Sequence, residues 1–207
     1  MNMQFINQLK LQLDQPLPGK DAQSIMMIKP KPIFRNNTDI KTVKLSAVLI
    51  LLFFENDNWN FFLTKRSQNV NHHKGQISLP GGILEENESL RETAIRETEE
   101  EIGIPSQDIQ LIGRLSPFYV PVSNFKISPF VGWIEKNPRI KAYDGEVEKV
   151  FSVSINKFIL KSTQKVKYDK LNGKMVKIPY FDIDNEMVWG ATSIILSEFK
   201  NIILEIL

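Results

Sequence analysis

No cysteine occurs among the 207 residues, which excludes disulfides, thiolate catalysis and cysteine-based zinc sites and is compatible with a reducing cytosol. A strong net charge is missing too. The 26 Lys and Arg against 24 Asp and Glu leave a formal +2, without the basic excess that nonspecific nucleic-acid binding shows. Any anion-binding site must therefore be local. The most hydrophobic stretch, AVLILLFF at 47–54, falls well short of the roughly 20 residues that span a bilayer, and it reads as a buried strand. The N-terminal MNMQFINQLKLQLDQ lacks the unbroken apolar region of a signal peptide, because Lys10 and Asp14 interrupt it. The expectation is a soluble, cytoplasmic protein with no nucleic-acid or membrane partner. Its 42% hydrophobic residues suffice for one sizeable core.

Along the chain, Phe5, Ile6, Leu9 and Leu13 recur at helical spacing and predict a short amphipathic helix. Residues 15–41, with Pro16, Pro18, Gly19, Pro30 and Pro32, read as an irregular arm. Residues 1–41 thus form a helix and arm ahead of a single domain at 42–207. Strands are expected at 43–54 and 60–66, joined by Glu55-Asn56-Asp57-Asn58 as a hairpin turn. Further strand-like segments are IQLIGRLS, KISPFVGWIE, KVFSVS and the pair KVKY and KMVKIPYFDI, the last two separated by the hairpin signal Asn172-Gly173. A closing helix over about 190–206 carries the apolar stripe Ile194, Ile195, Phe199, Ile202 and Ile206, most simply a core-packing face, though a homodimer contact would look the same. Helices before, between and after strands define an α/β domain with a mixed central sheet.

The chemistry concentrates in GQISLPGGILEENESLRETAIRETEEEIGI, residues 75–104. The glycine turn leads into a helix over about 88–102 that ends at Gly103. Leu90, Ala94, Thr98 and Ile102 share one face for packing. Glu97, Glu100 and Glu101 stand at i, i+3 and i+4, so three carboxylates emerge within one turn. Such repulsion costs a few tenths of a kcal/mol per pair. It is tolerable as solvated surface, or a hard divalent cation cancels it by taking carboxylate oxygens together with substrate phosphates. An isolated Glu-rich run is usually only solubilising charge.

The surroundings shift that balance. Gly82, Glu88, Arg96, Glu97, Glu100, Glu101, Gly103 and Ile104 follow the spacing G-x5-E-x7-R-E-U-x-E-E-x-G-U, with U a bulky apolar residue, which resembles the Nudix box. The seven Gly, Glu and Arg positions coincide by chance about once in 10⁸ starting points. One position departs, since Thr98 replaces the first U. The resemblance implies an α/β/α sandwich in which Glu97, Glu100 and Glu101, with the Gly81 carbonyl, bind Mg²⁺ or Mn²⁺. It also implies that Arg96 orients the carboxylates and that Glu88 braces the loop and Arg96. The general base is expected to be Glu100 or Glu146, and Glu85, Glu86, Glu92 and Glu99 are read as solvated surface.

Upstream, LTKRSQNVNHHKGQISLPGG at 63–82 resembles the pattern LLTxRSxxLxxHxGQxxFPGG of the coenzyme A pyrophosphatases within that family, with Val70 for Leu and Leu79 for Phe. The resemblance extends more loosely through EVEKVFSV at 146–153 and VWGATSIIL at 188–196. It implies hydrolysis of a small-molecule substrate, coenzyme A or acyl-CoA, to 3′,5′-ADP and (acyl-)4′-phosphopantetheine, with Arg66, His73, Gln76 and Gly82 binding substrate. A rival hydrolase of ADP-ribose or another nucleoside diphosphate derivative would carry the same box, whereas a Nudix-fold binding module without turnover would be expected to lose box carboxylates, all of which are present here.

Overall fold

The computed structural model describes residues 3–30, 42–68, 75–135, 138, 140, 145–171 and 173–207. Its centre is the β1–β2 hairpin, Lys44–Glu55 and Asn58–Arg66, closed by Asn56 and Asp57 with φ of 51° and 57°. Two consecutive positive φ values give the hairpin turn whose twist matches the flanking strands. The four-residue turn read from sequence shrinks to two, because Glu55 and Asn58 already pair.

Beyond Leu52 the two strands splay. Into the gap come β3 (Ile77–Ser78), paired with β2, and β4 (Gly81–Ile83), paired with β1. The glycine turn is thereby held between the two longest strands of the hairpin. The helix α3 (Leu90–Ile102) follows, then β5 (Gln110–Arg114), β6 (Phe118–Val120), β7 (Phe125–Trp133) and β8 (Val147–Ser154). Strand β7 runs parallel to β1 and the other pairings are antiparallel, which makes the eight-stranded sheet mixed.

Alternation along β1 splits the core. Ala47, Leu49, Leu51 and Phe53 face α3 with Ala94 and Ile102, while Ile50 and Leu52 face the opposite side. There α1 (Met3–Leu13) and α5 (Gly190–Leu204) bury Leu9, Ile195, Leu196, Phe199 and Ile203 at 1% exposure or less. Each such side chain contributes about 2 kcal/mol from area removed from water. The stripe on α5 is core packing; Phe199 stacks edge-on against Phe61 at 6.1 Å between ring centres.

Part of the arm read as irregular is helical. Pro18 precedes α2 (Gly19–Ser24), whose Ala22 and Gln23 are buried. Residues 31–41 lie outside the described residues. The C-terminal strands also do not join the central sheet. After α4 (Ile155–Phe158), β9 (Gln164–Leu171), β10 (Lys174–Ile183) and β11 (Glu186–Val188) form a separate three-stranded sheet. Gly173 at φ +76° follows β9, while Asn172 lies outside the described residues.

Candidate active site

Helix α3 starts where its sequence dictates. Ser89 Oγ accepts the Glu92 amide at 3.3 Å, and the Glu92 carboxylate accepts the Ser89 amide at 2.7 Å, a reciprocal cap that satisfies two orphan donors. Gly103, at φ +71°, ends the helix in the left-handed region. Thr98 is fully buried, and its hydroxyl donates to the Ala94 carbonyl at 2.7 Å. The polar atom at the departing box position is therefore satisfied within the helix.

Two acids read as solvated surface also have structural partners, and Glu92 remains exposed. Glu92 makes the cap just described, and Glu99 accepts the Ser106 amide at 3.2 Å. The Ser89-x-x-Glu92 spacing was a legible cap signal, whereas the Glu99 contact depends on how the chain turns after Gly103.

Arg96 is the hub of the loop side. It donates to both oxygens of Glu88 at 2.9 and 3.0 Å, to Glu97 at 3.0 Å, to Glu100 at 3.1 Å and to the Ile83 carbonyl at 3.3 Å. Glu88 also accepts from the Glu85 amide and the Thr93 hydroxyl. The Arg96 hydrogen bonds, with the Glu85 amide next, pull the Glu88 carboxyl down to about 2. A fixed anion thus anchors the guanidinium that holds Glu97 and Glu100.

Deeper in, Glu101 is 7% exposed, and its Oε2 is buried with no hydrogen-bond partner. Burial, reinforced by Glu97 and Glu146 and opposed by Arg66, pushes its carboxyl up to about 8. Burial also raises Glu97, with Arg96 opposing. Arg66, at the end of β2, reaches Glu101 Oε1 at 3.9 Å and Glu146 Oε2 at 3.6 Å. Its own Nε is buried and unbonded. Glu146 is 71% exposed and Glu100 59%, so these two stand at the solvent edge.

The glycines have steric reasons. A side-chain carbon at Gly82 would overlap the Glu97 carboxylate, and one at Gly81, where φ is +152°, would overlap the backbone of Ala47 and Val48. The backbone of Gln76 accepts the Arg66 amide at 3.0 Å, and the Arg66 carbonyl accepts the Gly75 amide at 3.0 Å, which fixes the Arg66 backbone. Lys65 points elsewhere, to Glu186 at 2.8 Å and Glu148 at 4.0 Å. His73 lies outside the described residues.

Arg96 holds Glu97 and Glu100, and Arg66 lies against Glu101 and Glu146; the Gly81-Gly82 turn lies beside the Glu97 carboxylate, with the Gly81 backbone hydrogen-bonded to Glu101. Among the described residues no three acidic or histidine side chains already converge as a ready-made ligand set; the two arginines hold the carboxylates. A divalent cation nevertheless suits this donor set. It consists of hard oxygens, one of them a buried carboxylate oxygen with nothing to bond, facing a turn stripped of side chains. A cleft of about 460 Å³ lined by Lys20, Gln23, Met27, Lys29, Phe118 and Tyr119 shares no residue with this cluster.

A glycine turn wedged into a splayed mixed sheet, followed by a helix whose buried and arginine-held carboxylates face that turn, forms the candidate active site. The chain belongs to the Nudix family: the NUDIX domain profile matches residues 43–172. It is similar to Nudix hydrolase 15, mitochondrial, of Arabidopsis thaliana, at 30% identity over 95% of this chain and 71% of that protein. It is also similar to the Nudix hydrolase NudL of Photorhabdus laumondii, at 27% identity over 94% of this chain and 93% of that one. The fold resembles a MutT/nudix family protein from Enterococcus faecalis, with a TM-score of 0.56 and 18% identity over 84% of this chain and 64% of the other. The protein is an enzyme, a Nudix hydrolase of pyrophosphate bonds. Nudix hydrolases generally need divalent metal ions. No described helix is long and apolar enough to cross a membrane.

Proposed function

We propose that the enzyme hydrolyses the pyrophosphate of coenzyme A or acyl-CoA to 3′,5′-ADP and (acyl-)4′-phosphopantetheine. The observation that carries this reading is the position of Arg66. The segment 63–82 that resembles coenzyme A pyrophosphatases delivers this guanidinium to within 3.9 Å of the buried carboxylate at the end of the box helix. The feature that suggests the substrate is thus part of the catalytic cluster.

In this mechanism Glu97, Glu100 and Glu101, with the Gly81 carbonyl, would hold Mg²⁺ or Mn²⁺. When bound, the cation supplies positive charge against the phosphate oxygens and makes water a better nucleophile. The side-chain-free turn at Gly81 and Gly82 lets the pyrophosphate approach the backbone. Arg66, whose side chain is 28% exposed, offers its guanidinium charge to a phosphate oxygen. Gln76 and His73 complete the substrate contacts. Arg96 keeps Glu97 and Glu100 aimed at the turn. The exposed carboxylate of Glu100 or Glu146 takes the proton from the attacking water, which needs a base at the solvent edge within hydrogen-bond reach. We take the substrate to be a small molecule and the compartment to be the cytoplasm, a reading supported by the reducing environment that a cysteine-free chain suits.

Incubation of the purified protein with coenzyme A and Mg²⁺ or Mn²⁺ tests this reading, with both products resolved by chromatography. Formation of 3′,5′-ADP in preference to any product from ADP-ribose or nucleoside triphosphates supports it. No coenzyme A turnover beside good turnover of ADP-ribose would overturn the substrate assignment while leaving the hydrolase standing.

A further inference from the structure

Strand β9 is exposed along its whole length, Gln164 to Leu171, and ends the small sheet whose order is β11-β10-β9. Among the described residues no strand pairs with its outer edge, which can be read residue by residue. Lys177 on β10 exchanges both backbone hydrogen bonds with Lys29, at 2.7 and 3.1 Å, so its backbone polar groups point away from β9. Tyr168 lies opposite Lys177, and in an antiparallel ladder both members of such a pair turn their N–H and C=O outward. Alternation gives Val166 and Lys170 the same outward set. Val166 is 43% exposed, Tyr168 67% and the neighbouring Met175 56%, which places an apolar stripe beside an open ladder. Long open edges of this kind are templates for strand pairing.

The charges on the edge select the partner. Of the antiparallel registers that match outward groups with outward groups, one centred on Lys167 sets Lys167 against itself, and one centred on Asp169 sets two carboxylates together. The register centred on Tyr168 places Lys167 of each copy opposite Asp169 of the other. It also places Val166 opposite the aliphatic stem of Lys170, and Lys165, whose ammonium is already paired with Asp182, opposite Leu171. Like charges directly across strands destabilise and opposite ones stabilise. We propose that β9 pairs antiparallel with β9 of a second copy about a twofold axis at Tyr168, joining the two small sheets into one six-stranded sheet.

Within one chain Asp169 already accepts the Lys170 amide at 2.8 Å and the Lys167 ammonium at 2.7 Å. On pairing, the Lys170 amide passes to the Val166 carbonyl of the second copy, and the Asp169 carboxylate turns to the second copy's Lys167. Every polar group keeps a partner. The interface is isologous, as a twofold requires, and it leaves the catalytic cluster untouched.

Sedimentation velocity of the full-length protein over a micromolar concentration series tests the pairing. The wild type is expected to reach twice the monomer mass. Tyr168→Pro removes an outward N–H that β10 does not use, and should give a monomer with unchanged hydrolase activity. Lys167→Asp or Asp169→Lys alone should raise the dimer dissociation constant about tenfold or more, and the two together should restore it. A monomeric wild type at 100 micromolar concentration overturns the proposal. A dimer indifferent to Tyr168→Pro, or a double exchange that fails to recover dimer while hydrolase activity shows it folded, overturns it equally.

Discussion

Two buried glutamates sit on opposite faces of the same sheet, and they are treated in opposite ways. Glu198 on α5, fully buried, accepts the Gly19 amide at 3.1 Å, the Gln23 side-chain amide at 3.0 Å and the Ser116 amide at 3.3 Å. Both of its oxygens are used, and they tie α2 and the β5–β6 connection to the C-terminal helix. Glu101 on α3 is nearly as buried, yet one oxygen has no partner and burial raises its carboxyl to about 8. A buried charge kept without full hydrogen bonding is costly. The difference separates a carboxylate satisfied by the fold from one left with an unpartnered oxygen, as the proposed cation site requires.

The contrast can be broken from either side. Glu101→Gln removes the anion but keeps the shape, so hydrolase activity should fall about 10³-fold, equivalent to about 4 kcal/mol on the barrier, while the melting temperature of metal-free protein stays level or rises. Glu198→Leu should do the reverse. It strands amide donors in the core and should cost about 3 to 4 kcal/mol of stability, with kcat of the surviving folded fraction unchanged; denaturant unfolding measures the loss.

A pH series sharpens the comparison. Because the folded Glu101 carboxyl lies above its unfolded value, the stability it contributes is full below about pH 4.5, where both states are protonated. That stability is lost as pH rises through about 8. In metal-free protein the wild type should therefore lose about 4 kcal/mol, or about 8 to 15 °C, more than Glu101→Gln between pH 5 and 9. The smallest effect belongs to Glu88. Glu88→Gln weakens the anchor of Arg96 without touching substrate, and should lower activity about tenfold with little change in KM.

Much of this was legible in the sequence because the signals were local. The hairpin at Asn56-Asp57, the helix ending at Gly103, the carboxylates on one turn of α3 and the Glu88–Arg96 pairing all depend on residues within about a dozen positions of each other. What escaped depends on tertiary meetings. The helix α2 is hidden behind a Pro-Gly pair that signals a turn, and it is held by contacts to Glu198 far along the chain. The separation of β9–β11 from the central sheet cannot be read from strand patterns that are alike in both sheets. Glu92 is the exception: its cap spacing was plain, but the density of glutamates around it masked the role.

The most direct test of the central claim is titration of Mn²⁺ into metal-free wild type and Glu101→Gln, with free Mn²⁺ followed by electron paramagnetic resonance. If the unbonded oxygen of Glu101 is a cation ligand, the wild type binds Mn²⁺ and the variant binds it at least tenfold more weakly while melting no lower. Equal affinity in the two proteins would contradict the account.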